Sequence, residues 1–240
     1  MRTAFFVMLT FLSICGSTSF GVERPLRVFF VGNSYTFVND LPGVLAGLAE
    51  ASRGRNIVTG QYTPGGYTLD QHVKDGKAVE SIKKGNWDVV VLQEQSILPV
   101  AQPARMYDGA RRLHATIKNQ NAETLFYLTW ARKGKPQMQE GLTQAYFRIA
   151  RDLQANMAPV GTAWQRAMKE NRALELYLQD GSHPSAEGTY LAACVFYATI
   201  FRQSPEGLGY QDGLASDTAQ VLQKAAADNV LQNPEQWGLH

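Results

Sequence analysis

The chain has little of what metal or disulfide chemistry requires. Its 240 residues include two cysteines, Cys15 and Cys194, and four histidines, His72, His114, His183 and His240. It contains no Cys-x-x-Cys, no His-Glu-x-x-His and no dense His/Cys cluster, so neither a zinc site nor any other metal or cofactor is expected. A surplus of one charge is also missing. With 23 basic and 21 acidic residues and a formal net charge of +2, nothing draws the chain electrostatically to nucleic acid or an anionic membrane. Internal repeats, low-complexity tracts and dividing linkers are absent too. At 45% hydrophobic and 18% charged residues, the composition is that of a globular chain long enough to bury a core.

The first residues differ from the rest. Arg2 gives a positive start, Ala4 to Ile14 is apolar, and the small residues Cys15 to Ser19 follow. That order is the layout of a secretory signal, expected here over residues 1–21 and placing the mature domain at 22–240 in the periplasm or outside the cell. The apolar stretch is too short to span a bilayer, which takes roughly 20 residues. Cleavage sites of small-x-small type occur at Ser17-Thr18-Ser19 and Ser19-Phe20-Gly21. A lipid anchor on Cys15 ranks second, because Ile14 stands where such signals place a small residue. Removal of the signal would leave Cys194 unpaired among apolar neighbours, where it reads as a buried small hydrophobe.

Beyond the leader, short apolar runs alternate with amphipathic segments. Arg27 to Val31, Asn56 to Tyr62, Trp87 to Leu92, Thr124 to Thr129 and Met157 to Val160 read as strands. Leu41 to Ser52, Ala104 to Lys118, Met138 to Leu153, Ala186 to Phe201 and Asp217 to Leu231 read as helices, the first capped by Asn39 or Asp40 and stopped by Gly54. Strands that are apolar throughout and separated by helices predict a parallel sheet covered on both faces. The expected fold is therefore α/β, a three-layer α/β/α sandwich around a doubly wound, flavodoxin-like sheet of about five strands. Ligands in such folds bind outside the carboxyl ends of the strands.

Two strand-end and loop segments carry chemistry. The first strand runs into Gly32-Asn33-Ser34-Tyr35-Thr36, which displays a serine at the ligand edge; an isolated serine of this kind more often only makes a turn. Asp180-Gly181-Ser182-His183-Pro184 stands before the Ala186 helix. Three residues separate its acid from its imidazole, so the carboxylate can hold Nδ1 while Nε2 faces a hydroxyl. A serine hydroxyl needs such a base to become a nucleophile, and the base needs an orienting acid. The other histidines weigh less: His72 is read onto a helix surface, His114 beside an apolar helix face, and His240 is terminal.

Together, Gly32-Asn33-Ser34 and Asp180-Gly181-Ser182-His183-Pro184 resemble the first and last blocks of the SGNH (GDSL-type) hydrolases, with Asn33 in place of the usual aspartate. The resemblance spans roughly residues 27–200. It implies a Ser34–His183–Asp180 triad and an oxyanion hole formed by the Ser34 amide, a glycine amide and a carboxamide. Pro64-Gly65-Gly66-Tyr67-Thr68 offers Gly66 first and Gly65 next. Leu92-Gln93-Glu94-Gln95-Ser96 replaces the usual Gly-x-Asn-Asp, aligning Gln95 with the asparagine, or Gln93 if the register slips by two. Tyr35 and Trp130 flank strand ends and are candidates for binding substrate, Trp130 by stacking on a sugar, or equally for packing. Glu94 is open between a supporting role and an ion pair. The resemblance implies a serine esterase acting on short-chain, chiefly acetyl, esters of a small molecule or an O-acetylated carbohydrate. The alternatives are a longer-chain esterase or thioesterase and a non-catalytic glycan-binding protein on the same fold.

Overall fold

Strand β1 (Leu26–Val31) is buried along its last four residues, and β3 (Val89–Leu92) and β4 (Glu123–Tyr127) are nearly as apolar. Strands with no polar face must be covered on both sides. The computed structural model, which describes residues 24–52 and 56–239, shows how. With β2 (Ile57–Tyr62) and β5 (Asn156–Ala158), these strands form one parallel sheet in the order β2-β1-β3-β4-β5. This is the doubly wound, flavodoxin-like order expected from the alternation. The expected leader over 1–21, Cys15, Gly54 and His240 lie outside the described residues.

Among the described residues, ten helices accompany the sheet. They are α1 (Ser34–Phe37), α2 (Leu41–Ala51), α3 (Leu69–Asp75), α4 (Lys77–Lys84) and α5 (Leu98–Ala101) in the first half. The second half adds α6 (Pro103–Lys118), α7 (Met138–Asp152), α8 (Val160–Glu170), α9 (Ala186–Phe201) and α10 (Ser216–Leu231). One layer packs α2, α8 and α10 around α9, and the other joins α3, α4 and α6, with α7 alongside. Helix α9 is buried over Gly188 to Thr199, as befits a helix that is apolar all round. Its Cys194 is a free, buried thiol, and burial pushes its pKa up.

Five helices fall outside the expected ranges, the first being the single turn α1 that Ser34 opens. α3 and α4 are short, with polar outer faces, and α5 is a single turn after the β3 loop. α8 begins where the fifth strand was expected to end: Pro159 stops β5, and Val160 opens the helix. Asp40 is the residue that caps α2, its Oδ1 accepting from the Gly43 amide at 3.3 Å.

Register fixes the functional edge. Val31 lies level with Tyr62 on one side and Leu92 on the other, and Leu92 with Phe126. The segments that follow these strands therefore emerge together at one end of the sheet.

Candidate active site

Ser34 stands three residues past β1 as the first residue of α1, with Asn33 as its N-cap. Asn33 is buried and fully engaged. Its amide donates to Gln93 Oε1 at 2.8 Å, its Oδ1 accepts from the Tyr35 amide and from Gln93 Nε2 at 3.1 Å, and its Nδ2 donates to Tyr67 O at 2.9 Å. An aspartate could not make the last of these bonds, because an ionised carboxylate has no hydrogen to give. This explains what the substitution at this position accomplishes: Asn33 joins the serine turn to the glycine loop. From below, His72 Nε2 bonds Gly32 O at 2.8 Å. His72 is fully buried on α3, not on a helix surface as the sequence suggested, and its Nδ1 has no partner among the described residues. Burial lowers its pKa, so the neutral ring donates from Nε2 and braces the residue two before Ser34.

The acid and base share one turn. Asp180 Oδ1 accepts from the amides of Ser182 (2.9 Å) and His183 (3.0 Å), and its Oδ2 accepts from His183 Nδ1. Gly181 takes φ +64° inside this turn, a conformation glycine adopts without steric cost. The hydrogen bond from His183, then that from the Ser182 amide, hold the Asp180 carboxyl down at about 2. His183 Nε2 lies 2.8 Å from Ser34 Oγ. The three residues singled out in the sequence thus meet in a hydroxyl–imidazole–carboxylate chain.

Neighbours pin the turn in place. Lys133 donates its amide to Gly181 O at 2.8 Å, and Asn39 Nδ2 donates to Pro184 O at 2.9 Å. Trp130 Nε1 donates to Ser182 O at 3.0 Å, and Tyr35 Oη is 2.7 Å from Ser182 Oγ. These last two contacts correct the expected substrate-binding roles of Trp130 and Tyr35. Trp130 is 1% exposed and Tyr35 3%. The Trp130 ring is stacked between Tyr35 (4.6 Å) and Trp164 (4.0 Å), so neither face is left for a sugar. Both residues are the floor on which the histidine turn rests.

The glycine and glutamine segments flank the serine turn. Gly66 sits at φ +72° in the turn closed by the bond from the Tyr67 amide to Pro64 O. Neither its amide nor that of Ser34 donates to another group of the described residues. The two glutamines differ. Gln93 is fully buried, and its Nε2 donates to Asn33 Oδ1 and Glu94 O, which leaves no hydrogen for an oxyanion. Gln95 fixes its carboxamide through Oε1, which accepts from the Ile97 (2.9 Å) and Leu98 (3.2 Å) amides. Among the described residues its Nε2 has only Ser96 Oγ at 3.5 Å, so the nitrogen is the free end. Glu94, open in the sequence, is a buried carboxyl without an ion pair among the described residues. It accepts from the Gln95 amide at 2.6 Å and from the Leu69 amide at the start of α3 at 3.3 Å. Burial pushes it up to about 7. His72 and Ser182 are supporting residues that no local pattern marks. Among the described residues no three His, Cys, Asp or Glu side chains converge as metal ligands.

A five-stranded parallel sheet in this order, with a serine after β1 and an acid–histidine turn before α9, is the fold of the SGNH (GDSL-type) hydrolases. Solved structures agree. A Slackia heliotrinireducens protein proposed to be an SGNH hydrolase is 27% identical, with a TM-score of 0.65 over 74% of this chain and 100% of that one. A DUF4886 family protein from Bacteroides uniformis is 21% identical (TM-score 0.71, covering 88% and 96%). A variant of an acetylxylan esterase from Geobacillus stearothermophilus is 12% identical (TM-score 0.57, covering 79% and 97%). No protein-family model matches the sequence, and neither does any curated protein.

Proposed function

We propose that this chain is an exported serine esterase that removes short acyl groups, chiefly acetyl, from O-acylated carbohydrate. One observation carries the reading: the 2.8 Å contact between Ser34 Oγ and a His183 ring whose Nδ1 is held by Asp180. A protein that only bound glycan would have no use for all three groups in this order. The acetylxylan esterases among the structures of this fold support the choice of acyl group and acceptor. Export is inferred from the pattern of residues 1–21.

In the reaction, Ser34 Oγ attacks the ester carbonyl carbon as its proton passes to His183 Nε2. The negative charge that develops on the carbonyl oxygen falls to the Ser34 and Gly66 amides and to Gln95 Nε2. The free N-terminal amides of a first helical turn suit an anion, and donors fixed in advance need no reorganisation as charge develops. His183 then protonates the leaving alcohol as the C–O bond breaks, giving an acyl-serine. Water attacks this ester, its proton goes to His183, and collapse of the second tetrahedral intermediate returns the proton to Ser34 and releases the acid. Asp180 keeps Nδ1–H directed inward and stabilises the imidazolium in both halves.

The test is hydrolysis of 4-nitrophenyl esters of two, four and eight carbons by the purified chain and by Ser34→Ala. Turnover of the acetyl ester that disappears in Ser34→Ala is expected. Preference for the eight-carbon ester would favour the longer-chain reading, and inactivity on all three would favour a binding protein.

A further inference from the structure

Among the described residues only five large hydrophobic side chains are exposed: Phe37, Val58, Ile97, Val100 and Leu178. Val58 lies on the edge strand β2 and Val100 on α5. The other three each adjoin one of the reacting groups. Phe37 ends the single turn that Ser34 opens, Leu178 pairs with the backbone of His183, and Ile97 donates its amide to Gln95 Oε1. Exposed apolar groups gathered round a polar site mark a ligand-binding surface.

Helix α1 divides its four residues between two faces. Tyr35 and Thr36 are buried, whereas Ser34 is half-buried and Phe37 is 44% exposed. Residues three apart on a helical turn are neighbours, with about 5–6 Å between their Cβ atoms. Phe37 is the one exposed aromatic residue among those described, and its ring has no aromatic partner there. Leu178 flanks the other member of the Ser34–His183 contact. Tyr177 and Pro184 face each other in an antiparallel bridge, which sets Leu178 opposite His183, its amide donating to His183 O at 2.9 Å. Pro184 is buried, and the Tyr177 hydroxyl turns inward to Ala131 O at 2.7 Å. Side chains alternate along paired strands, so Leu178 and His183 turn the other way together, about 5 Å apart at Cβ.

The reaction fixes what these side chains meet. His183 Nε2 gives its proton to the leaving oxygen, which must then lie within about 3 Å of it. The carbon skeleton of the alcohol starts one bond further out, beside the two side chains that flank the Ser34–His183 contact. Ile97 belongs instead with Gln95 and the oxyanion. A pyranose ring has an apolar C–H face bounded by hydroxyls. The surface here is an aromatic ring and a leucine bounded by polar groups, among them Gln179, which is exposed and has no hydrogen-bond partner among the described residues. An alkyl alcohol would match the apolar part alone.

We infer that Phe37 and Leu178 hold the leaving alcohol and set its specificity, the Phe37 ring stacking on the C–H face of the sugar with Leu178 packed at its side. The inference rests on the esterase reading for the bond that is cut, but binding of the sugar does not need that step.

The test begins with calorimetric titration of the full chain carrying Ser34→Ala with acetylated xylotriose. Adding Phe37→Ala is expected to weaken binding about tenfold, as loss of an aromatic face does, and adding Leu178→Ser about threefold. Phe37→Trp should retain the affinity, whereas Phe37→Leu, which keeps apolar bulk but no flat ring, should lose most of it. With Ser34 intact, Phe37→Ala should raise KM for the same ester about tenfold and change kcat less than twofold, because the ring binds ground and transition states alike. The preference for acetylated xylotriose over hexyl acetate, as a ratio of kcat/KM, should fall about tenfold in Phe37→Leu. Sugar binding indifferent to Phe37→Ala, a loss confined to kcat, or an unaltered preference over hexyl acetate would each overturn the inference while leaving the esterase standing. Sugar binding that depends on Phe37, in a chain that hydrolyses no acetyl ester, would instead refute the esterase reading and leave the sugar platform in place.

Discussion

Glu94 gives the sharpest physical test of the site's supporting structure. Its carboxyl is buried beside the Gln95 and Leu69 amides, and burial raises it from about 4.5 to about 7. The two amides, and Arg105 more distantly, offset only part of that penalty. Below about pH 4.5 the group is protonated in folded and unfolded chains alike, and it costs nothing. Between about 4.5 and 7 the unfolded chain has released this proton while the folded chain keeps it, so the unfolded state gains as pH rises. Above about 7 both are ionised and the folded state carries a constant cost of about 3 kcal/mol. Glu94→Gln keeps an oxygen for the two amides and removes the titration. Urea unfolding followed by tryptophan fluorescence, from pH 4.5 to 8, should therefore show the variant gaining about 3 kcal/mol on the unmutated chain across that range. Any fixed offset from the altered hydrogen bonding cancels in the difference between pH values. Parallel stability profiles for the two proteins would refute the assignment of a protonated, desolvated carboxyl to this position.

The remaining predictions concern the triad and its floor. Gln95→Ala should lower kcat on the acetyl ester by on the order of 10²–10³ in a chain that still folds, the effect of losing one oxyanion donor; full activity would remove Gln95 from the hole. Asp180→Asn should lower kcat by roughly 10⁴ because the imidazole loses the partner that sets its tautomer, and stopped-flow kinetics would read this directly. Trp130→Ala should cost about 3–5 kcal/mol of stability, as for other large buried aromatics, measured by denaturant unfolding. A variant at Trp130 that stayed equally stable but lost affinity for sugar would restore the stacking role.

The sequence disclosed what is local and repeated. Apolar runs such as Val28 to Val31 and Val89 to Leu92 are strands in any context that covers both faces, and Asp180 and His183 are close enough in the chain to define their own turn. What it hid is tertiary. His72 has the polar neighbours of a surface residue, and only the docking of α3 beneath β1 buries it. Trp130 sits at a strand end, where an aromatic that binds ligand and one that packs look alike; the rings of Tyr35 and Trp164 decide between them. Gln93 and Gln95 are chemically identical, and only the reciprocal bonds between Gln93 and Asn33 remove the first as a free donor.

The Asp180–His183 pair spans three residues, whereas His183 and Ser34 are 149 apart. The first contact closes within a single turn, but the second waits until the N-terminal strand and the penultimate helix unit have docked, a long loop closure that slows any chain. Ester hydrolysis during refolding thus reports the union of the two ends of the domain. Helix content and even the histidine turn can return earlier without a trace of activity.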